Sequence, residues 1–301
     1  PKMIEAGYPK PFVIVLAASA ALLEALIPPS NAAILYSALT YVPVSQTFAA
    51  GVFPGLVLLL FMIALVLFKC RHIERSKPAT NYKKIKLGIK AFPALLTPLI
   101  ILGGIYGGLL TPSESAAVSG IWAIFMGFLI YRELTIGSLL QSIKDTAITT
   151  SVIFSIIAMA TFLSKVFTYT QFPQFIIKSI TDMGVGLNFF WFAMALICLI
   201  LGTFIEIVPV FYLTIPIFTA IILSFDQSLI HLYVVFVAFA GIGMITPPVC
   251  VGIYTSASVI KENPGNAFKE VPLFTVVGIL YGILMIFFPS LSTWLPNYLS
   301  G

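Results

Sequence analysis

Charged side chains are scarce in this sequence. They make up 9% of its 301 residues, whereas soluble domains contain roughly 25%. Hydrophobic residues make up 59%, which is more apolar surface than a soluble fold hides from water. No polar stretch is long enough to form a second folded unit. The composition therefore predicts an all-α polytopic membrane protein, with residues 1–301 as a single membrane domain.

Residues that carry redox, metal or hydrolytic chemistry are also few. The three cysteines stand singly with no Cys-x-x-Cys spacing, which excludes a zinc site or a disulfide framework of the usual kinds. The two histidines, His72 and His231, have no neighbours that would form a metal or nucleophilic centre, and no HExxH or GxSxG motif occurs. We therefore predict that the protein is not an enzyme and has no organic cofactor.

Apolar runs long enough to cross a bilayer, which takes about 20 residues, occur along the whole chain. The unbroken runs are 47–68, 91–110, 115–131, 147–167 and 272–288. The interrupted runs are 12–41, broken at Pro28-Pro29, 230–260, broken at Pro247-Pro248, and 188–225, broken near Glu206. The last of these is long enough to enter and leave the membrane on one side, so we predict a re-entrant hairpin.

The distribution of basic residues supports this layout. Lysine and arginine collect in cytoplasmic loops, and threading the chain through these spans places 14 of the 16 basic residues inside, eight of them in the loop 69–90. Only Lys165 and Lys178 lie outside. The net charge of +5 therefore follows from membrane topology, and no nucleic-acid partner is predicted. Residues 137–143 and 172–180 are expected to be short amphipathic pieces at the two interfaces.

The two Pro-Pro breaks lie in related sequence and point in opposite directions. Pro28-Pro29 leads to Ile34-Leu35-Tyr36-Ser37, and Pro247-Pro248 leads to Gly252-Ile253-Tyr254-Thr255. Such pairs of discontinuous helices are typical of transporters built from inverted repeats. The predicted parts are a broken helix of the first repeat at 11–45, a span with a basic cytoplasmic loop at 46–90, further helices at 91–170, the re-entrant hairpin and the broken helix of the second repeat at 188–260, and a final span at 272–289.

A helix that breaks inside the membrane exposes backbone groups there. N–H groups at the start of a half-helix attract an anion, and C=O groups at the end of one attract a cation. The candidate binding residues at the breaks are Pro28, Pro29, Ser30, Gly243, Thr246, Pro247 and Pro248, with Thr255, Ser256 and Ser258 as further hydroxyls. A Pro-Pro kink in a packed helix is the alternative for one break alone. The hydroxyls have an alternative too, which is to bond a carbonyl of their own or a neighbouring helix.

Three of the eleven acidic residues lie in or beside apolar runs, where a charge is costly and usually functional. Glu114, in Thr111-Pro112-Ser113-Glu114, predicts a capping box with proline at the first helical position. Glu206, at the expected hairpin tip, would accept hydrogen bonds from N–H groups there or help form a cation or proton site. Glu24, four residues before Pro28, would pair with a lysine or water, or carry a proton.

A glycine-rich stretch reads Gly103-Gly104-Ile105-Tyr106-Gly107-Gly108-Leu109-Leu110-Thr111-Pro112-Ser113-Glu114. It closely resembles the signature of the large membrane subunit, the DctM-like permease, of TRAP transporters, the tripartite ATP-independent periplasmic transporters. Both Pro-Pro segments and the closing Pro289-Ser290-Leu291-Ser292-Thr293-Trp294-Leu295-Pro296 fit the same family. Family members have a further N-terminal part with another hairpin, so we expect this chain to be the C-terminal two-thirds of such a subunit.

The resemblance implies an elevator-type carrier in the bacterial or archaeal cytoplasmic membrane, whose transport domain slides against a scaffold that includes the helices at 91–170. It implies co-transport of Na⁺ with a carboxylate such as a C4-dicarboxylate or a sugar acid, and Na⁺ would bind near Thr246 and Glu206. A periplasmic binding protein would deliver the substrate, and a small membrane subunit would join the scaffold. In the signature, Gly103, Gly104, Gly107, Thr111, Pro112 and Glu114 are structural.

The sequence also departs from the family pattern. Where the family usually has Ser-Ser-Thr-Ile-Gly before the first Pro-Pro, this chain has Ala20-Ala21-Leu22-Leu23-Glu24. It has Phe239 at the position of an expected asparagine, and Cys250-Val251-Gly252 in place of Gly-Leu-Asn. We hypothesise that Glu24 replaces the cation at the first site, so the coupling ion is Na⁺ or H⁺. The alternative function is a scaffold or degenerate subunit that no longer transports.

Overall fold

The fold is given by a computed structural model that describes residues 2–71, 81–182 and 186–300. All regular elements within these ranges are helical. The α-helices are α1 (Lys2–Glu5), α2 (Lys10–Leu26), α3 (Asn31–Thr40), α4 (Val44–Lys69), α5 (Asn81–Tyr106), α6 (Pro112–Phe125), α7 (Ile136–Tyr169), α8 (Phe172–Asp182), α9 (Leu187–Phe204), α10 (Ile207–Ser224), α11 (Leu229–Ile245), α12 (Val251–Val259), α13 (Val271–Phe287) and α14 (Ser290–Ser300). A π-helical turn, Met126–Ile130, continues α6, and a 3₁₀-helix, Pro264–Lys269, precedes α13.

The described helices confirm the prediction of an all-α polytopic membrane protein. Six helical stretches are long and apolar enough to cross a membrane, or up to eight if each of two bent pairs forms one span. One bent pair is α2 with α3, which meet at 45° around Pro28-Pro29. At the second Pro-Pro, α11 ends at Ile245 and α12 begins at Val251. Both breaks therefore separate two helices, as the prolines predicted.

Several boundaries differ from the sequence prediction. The basic loop was expected to continue to Lys90, but α5 begins at Asn81, because lysine, leucine and isoleucine sustain a helix outside the apolar run. His72, Arg75 and Lys77 of that loop lie outside the described residues. The amphipathic piece at 137–143 is the first part of α7 and not a separate element. The final span ends at Phe287, where α14 bends away from α13 by 55°.

Two compact units make up the chain. One consists of residues 1–74 and 159–301, and the other of residues 75–158. In the first unit, α11 is the central helix, and it packs against α9, α2, α13 and α4. Its residues from Leu232 to Ala238 have no exposed surface, which fits a helix that is apolar on every side.

Close backbone packing fixes the position of α9 on α11. A Cβ atom added to Gly243 of α11 would lie 2.6 Å from the carbonyl oxygen of Leu199 and 2.7 Å from the Cα of Gly202, both in α9. A Cβ atom on Gly202 would in turn collide with the carbonyl oxygen of Ala240. The two helices therefore touch through their backbones, and this crossing requires glycine on both sides.

In the second unit, α6 packs against α5. The indole N–H of Trp122 donates to the carbonyl oxygen of Pro93 at 3.0 Å, and the hydroxyl of Tyr131 donates to that of Lys90 at 2.9 Å. These bonds tie α6 and its π-helical continuation to α5.

Candidate functional site

A cavity of about 170 Å³ lies within the first unit, where four segments meet. The second half of α2 contributes Glu24, and the connection between α9 and α10 contributes Glu206. Gly241 and Met244 of α11 form another wall, and the first turns of α12, from Val251 to Ser256, close the cavity. The end of one broken helix, the start of another and the tip between α9 and α10 thus face one space.

The cavity brings together the two acidic residues that the sequence singled out as candidate ion carriers. Glu24 and Glu206 line it from different segments, and both are exposed to it or to solvent. Among the described residues, neither carboxylate makes a hydrogen bond or an ion pair. Glu24 therefore has no lysine partner within these ranges. Glu206 precedes α10 as its N-cap residue, but its side chain makes no cap hydrogen bond.

Two helices begin at this cavity. α10 begins at Ile207, and α12 begins at Val251 after Cys250, whose backbone is left-handed with φ 54°. Neither helix has a side-chain cap. The first N–H groups of a helix have no partner within it and carry its positive dipole end. The walls of the cavity therefore combine two positive helix ends with two carboxylates.

The hydroxyls of α12 differ in what they bond. The Thr255 hydroxyl donates to carbonyl oxygens of its own helix, and the Ser258 hydroxyl donates to the carbonyl oxygen of Thr255 at 2.7 Å. Ser256 lines the cavity, and its hydroxyl makes no hydrogen bond within the described part of the chain. Ser256 is therefore a hydroxyl of α12 that lines the cavity and remains available to a ligand.

At the first break, Ser30 is fully buried and bonds the backbone. Its hydroxyl donates to the carbonyl oxygen of Ala25 at 2.8 Å and accepts from the N–H of Ala33 at 3.3 Å, so it caps α3. The hydroxyl of Tyr233 in α11 donates to the same carbonyl oxygen. Sequence reasoning missed Tyr233, because nothing in the sequence indicates that α11 reaches the end of α2.

At the second break, Thr246 also bonds a carbonyl of its own helix. Its hydroxyl lies 2.8 Å from the carbonyl oxygen of Ile242 and 3.3 Å from the hydroxyl oxygen of Thr275 in α13. The residues from Pro247 to Val249 are exposed, in contrast to Ser30. Both Pro–Pro peptide bonds are cis.

Only part of the predicted binding set meets at the cavity. Glu24 and Glu206 line it, together with Gly252, Thr255 and Ser256. The predicted residues that do not line it are Pro28, Pro29, Ser30, Gly243, Thr246, Pro247 and Pro248. Gly243 instead forms the crossing with α9. A Na⁺ ion shared by Thr246 and Glu206 remains a prediction.

The glycine-rich signature lies in the second unit and forms the turn between α5 and α6. The N–H groups of Leu109 and Leu110 both donate to the carbonyl oxygen of Gly104 at 3.0 Å. The predicted capping box is present. The Thr111 N–H donates to Glu114 Oε2 at 2.7 Å, and the Glu114 N–H donates to Thr111 Oγ1 at 3.3 Å. Glu114 thus stabilises the start of α6.

Comparison with known proteins matches both the signature and the broken helices to one family. The family model described as "Tripartite ATP-independent periplasmic transporter, DctM component" matches residues 1–291. The C4-dicarboxylate TRAP transporter large permease proteins DctM of Vibrio cholerae and Pseudomonas aeruginosa are 34% identical over 321 residues and 30% identical over 299 residues. Each alignment covers 99% of this chain, and 71% and 70% of the respective relative.

The sialic acid TRAP transporter large permease protein SiaM of Vibrio cholerae is 28% identical over 310 residues, with 99% of this chain and 70% of the relative covered. The matched region includes both helix breaks, the cavity and the glycine-rich turn. The chain therefore belongs to the DctM family of large permease proteins, the multi-pass membrane components of tripartite ATP-independent periplasmic transporters, and is not an enzyme.

Proposed function

We propose that this chain binds a small organic anion, a carboxylate, in the cavity at Glu24 and Glu206 and carries it across the cytoplasmic membrane together with a cation. The family implies a small membrane subunit and a periplasmic binding protein as partners. In this proposal the binding protein delivers the substrate, and the coupling ion is Na⁺ or H⁺. The observation that carries the proposal is the pairing of two helix N-termini with two carboxylates around one cavity.

The charges around the cavity explain why the anion and the cation would bind together. Each helix N-terminus contributes roughly half a positive charge, so two helix ends offset only about one of the two negative charges of ionised Glu24 and Glu206. The empty cavity then repels an anion. A bound cation or proton removes this repulsion and leaves the helix ends to attract the anion. Because such coupling is reciprocal, the anion also strengthens cation binding.

The size and lining of the cavity favour a small substrate. Its volume of about 170 Å³ is below the roughly 300–1,000 Å³ of typical pockets for drug-sized ligands. Unpaired N–H groups at helix starts and the free hydroxyl of Ser256 are suitable donors for carboxylate oxygens. Relatives named for C4-dicarboxylates and sialic acid agree with a carboxylate as the substrate class of this chain.

The position of the cavity also supports the predicted re-entrant hairpin. Residue Glu206, between α9 and α10, lines the same space as α12, which begins after the break that follows α11. Breaks of this kind lie near the bilayer midplane in transporters with inverted repeats. If this break does so too, α9 and α10 reach the midplane and return, as a hairpin does. The elevator movement stays part of the proposal because the resemblance to the family implied it.

The test is uptake into proteoliposomes that contain the complete permease with its small subunit and binding protein. Labelled carboxylates would be offered under an imposed Na⁺ gradient or an imposed proton gradient. Glutamine stays neutral and cannot take up the coupling cation, so the gradient no longer drives the anion; we expect Glu24→Gln and Glu206→Gln each to lower gradient-driven uptake roughly tenfold, within the 5- to 150-fold range typical of coupled binding. Glu133→Gln makes the same chemical change outside the cavity and should leave uptake unchanged.

Two results would contradict the proposal. Uptake by Glu24→Gln and Glu206→Gln at the rate and pH dependence of the unaltered protein would remove the cavity from the mechanism. No uptake of any carboxylate under either gradient, with all three components assembled, would favour the non-transporting subunit.

A further inference from the structure

The C-terminal end of α2 is the place at the first break where a cation would be expected. The last carbonyl groups of a helix have no intrahelical partner and carry its negative dipole end. In broken membrane helices such carbonyls coordinate Na⁺ or another coupling cation. Whether the first break is open to an ion therefore depends on which groups bond or cover these carbonyl oxygens of α2.

The carbonyl oxygen of Ala25 is saturated by protein donors. It accepts hydrogen bonds from the hydroxyls of Ser30 and Tyr233, and a backbone carbonyl oxygen has two lone pairs. Both hydroxyl-bearing residues have no exposed surface. A metal ion could coordinate this oxygen only by displacing a buried hydroxyl, which would then lose its acceptor.

Two neighbouring carbonyls are covered as well, whereas that of Glu24 receives no N–H from residue 28, because this residue is proline. The carbonyl oxygen of Leu23 accepts from the N–H of Ile27 at 2.7 Å. That of Leu26 lies so close to Gly51 of α4 that a Cβ atom at Gly51 would collide with it. Backbone from α4 therefore covers the last carbonyl of the helix, and a phenol from α11 and a serine cover the one before it.

The second break is less enclosed. The carbonyl oxygen of Gly243 accepts from the N–H of Thr246 at 2.8 Å, but the residues from Pro247 to Val249 that follow are exposed. Within the described residues, no tyrosine hydroxyl bonds the end of α11. The two breaks share a sequence pattern, but they differ in what contacts them: a tyrosine hydroxyl bonds a carbonyl at the first, and the Thr275 hydroxyl of α13 lies beside Thr246 at the second.

We propose that Tyr233, together with Ser30, keeps the Ala25 carbonyl at the first helix break from binding a metal ion and thereby limits the number of Na⁺ ions that this permease binds. Tyr233 is a positioning and selectivity residue, because the hydrogen of its hydroxyl lies beside the Ala25 oxygen where a cation would otherwise bind. Both hydroxyls belong to the protein and stay in place, so the Ala25 carbonyl supplies no ligand to a metal ion in the transport cycle. The inference rests on the proposed transport function but can be tested separately from it.

The test is Tyr233→Phe, which removes one donor from the Ala25 oxygen and leaves a space of one oxygen atom beside it. We expect the reconstituted complex to gain sensitivity to Na⁺, with the Hill coefficient for Na⁺ rising by about one, as one added ion requires. We also expect NaCl, compared with choline chloride, to raise the melting temperature of the purified variant more than that of the unaltered protein.

Tyr36→Phe is the matched control. Tyr36 is buried, its ring lies 5.2 Å from that of Tyr233, and its hydroxyl also donates to a backbone carbonyl, that of Leu229 at 2.6 Å. Its loss should lower stability without adding Na⁺ sensitivity. If Tyr233→Phe does not fold, Ser30→Ala removes the other donor from the same oxygen and should give the same gain.

The inference is overturned if folded Tyr233→Phe or Ser30→Ala shows the Na⁺ dependence of the unaltered protein in melting and in uptake. The inference is also overturned if Tyr36→Phe gains as much sensitivity to Na⁺ as Tyr233→Phe does. Absence of uptake by the unaltered complex would refute only the transport proposal, because the Na⁺-dependent melting of the variants still decides the inference.

Discussion

The crossing between α9 and α11 is the most constrained contact of the first unit, and Gly243→Ala tests it directly. The added methyl group would lie 2.6 Å from the carbonyl oxygen of Leu199, where ordinary contacts are 3.4–4 Å. The Leu199 oxygen and the Cα of Gly202, which lies 2.7 Å away, both belong to the backbone of α9. No side chain can therefore rotate away from the added methyl group. The helices must separate by several tenths of an ångström or more.

The expected magnitude follows from two opposing effects. Replacing glycine by alanine inside a helix gains about 1 kcal/mol in helix propensity. Overpacking of a close-packed interior costs about 1–3 kcal/mol and occasionally more. Because the contact is with rigid backbone, we expect the upper part of this range and a net loss of about 2 kcal/mol.

A double-mutant cycle separates this contact from a general effect of alanine. Gly202→Ala inserts a methyl group into the same crossing, 3.1 Å from the Cα of Gly243. Once one methyl group has forced the helices apart, the second costs less, so the double variant should be destabilised by less than the sum of the two single variants. Gly120→Ala in α6 is the control, since its added Cβ atom meets nothing within 4 Å.

Unfolding in detergent can be followed by the fluorescence of Trp191. This residue of α9 is buried, and its ring contacts that of His231 in α11 at 4.9 Å between centroids, so its emission reports the packing of α9 against α11. Gly202 is four residues from Glu206, so we also expect slower uptake. A Gly243→Ala protein as stable as the unaltered one, or an additive double variant, would refute the reasoning.

Two further predictions concern helix ends. Thr111→Val removes the side-chain acceptor of the capping box and should destabilise the start of α6 by about 1 kcal/mol, seen as faster hydrogen exchange of the Glu114 amide; unchanged exchange would contradict it. The Lys10 ammonium, 2.8 Å from Glu262, holds the pKa of this half-buried carboxyl below its usual 4.5. The stabilisation is therefore present above about pH 4.5 and is lost as the pH falls through the lowered pKa. Glu262→Gln should flatten the dependence of the melting temperature on pH in this acidic range, and an unchanged acid profile would show that the pair contributes nothing.

The membrane class, the two helix breaks and the capping box could be predicted from the sequence. Each depends on chemistry within a short segment. Proline cannot donate a backbone hydrogen bond and clashes with the preceding turn, and Thr111 and Glu114 are three residues apart. The sequence also placed the end of the basic loop wrongly, because apolar content marks the bilayer and not the helix that extends beyond it at Asn81.

Which candidate residues share a site depends on how the helices pack. Glu24 and Glu206 meet at one cavity, whereas Gly243 serves a helix crossing and Ser30 a helix end. Tyr233 bonds Ala25 across 208 residues of sequence. Such contacts depend on how α2, α9 and α11 pack, and an apolar helix that is buried on all sides gives no periodic pattern from which its neighbours can be read. The function of a hydroxyl or carboxylate in this membrane protein is therefore fixed by the backbone groups that packing brings to it.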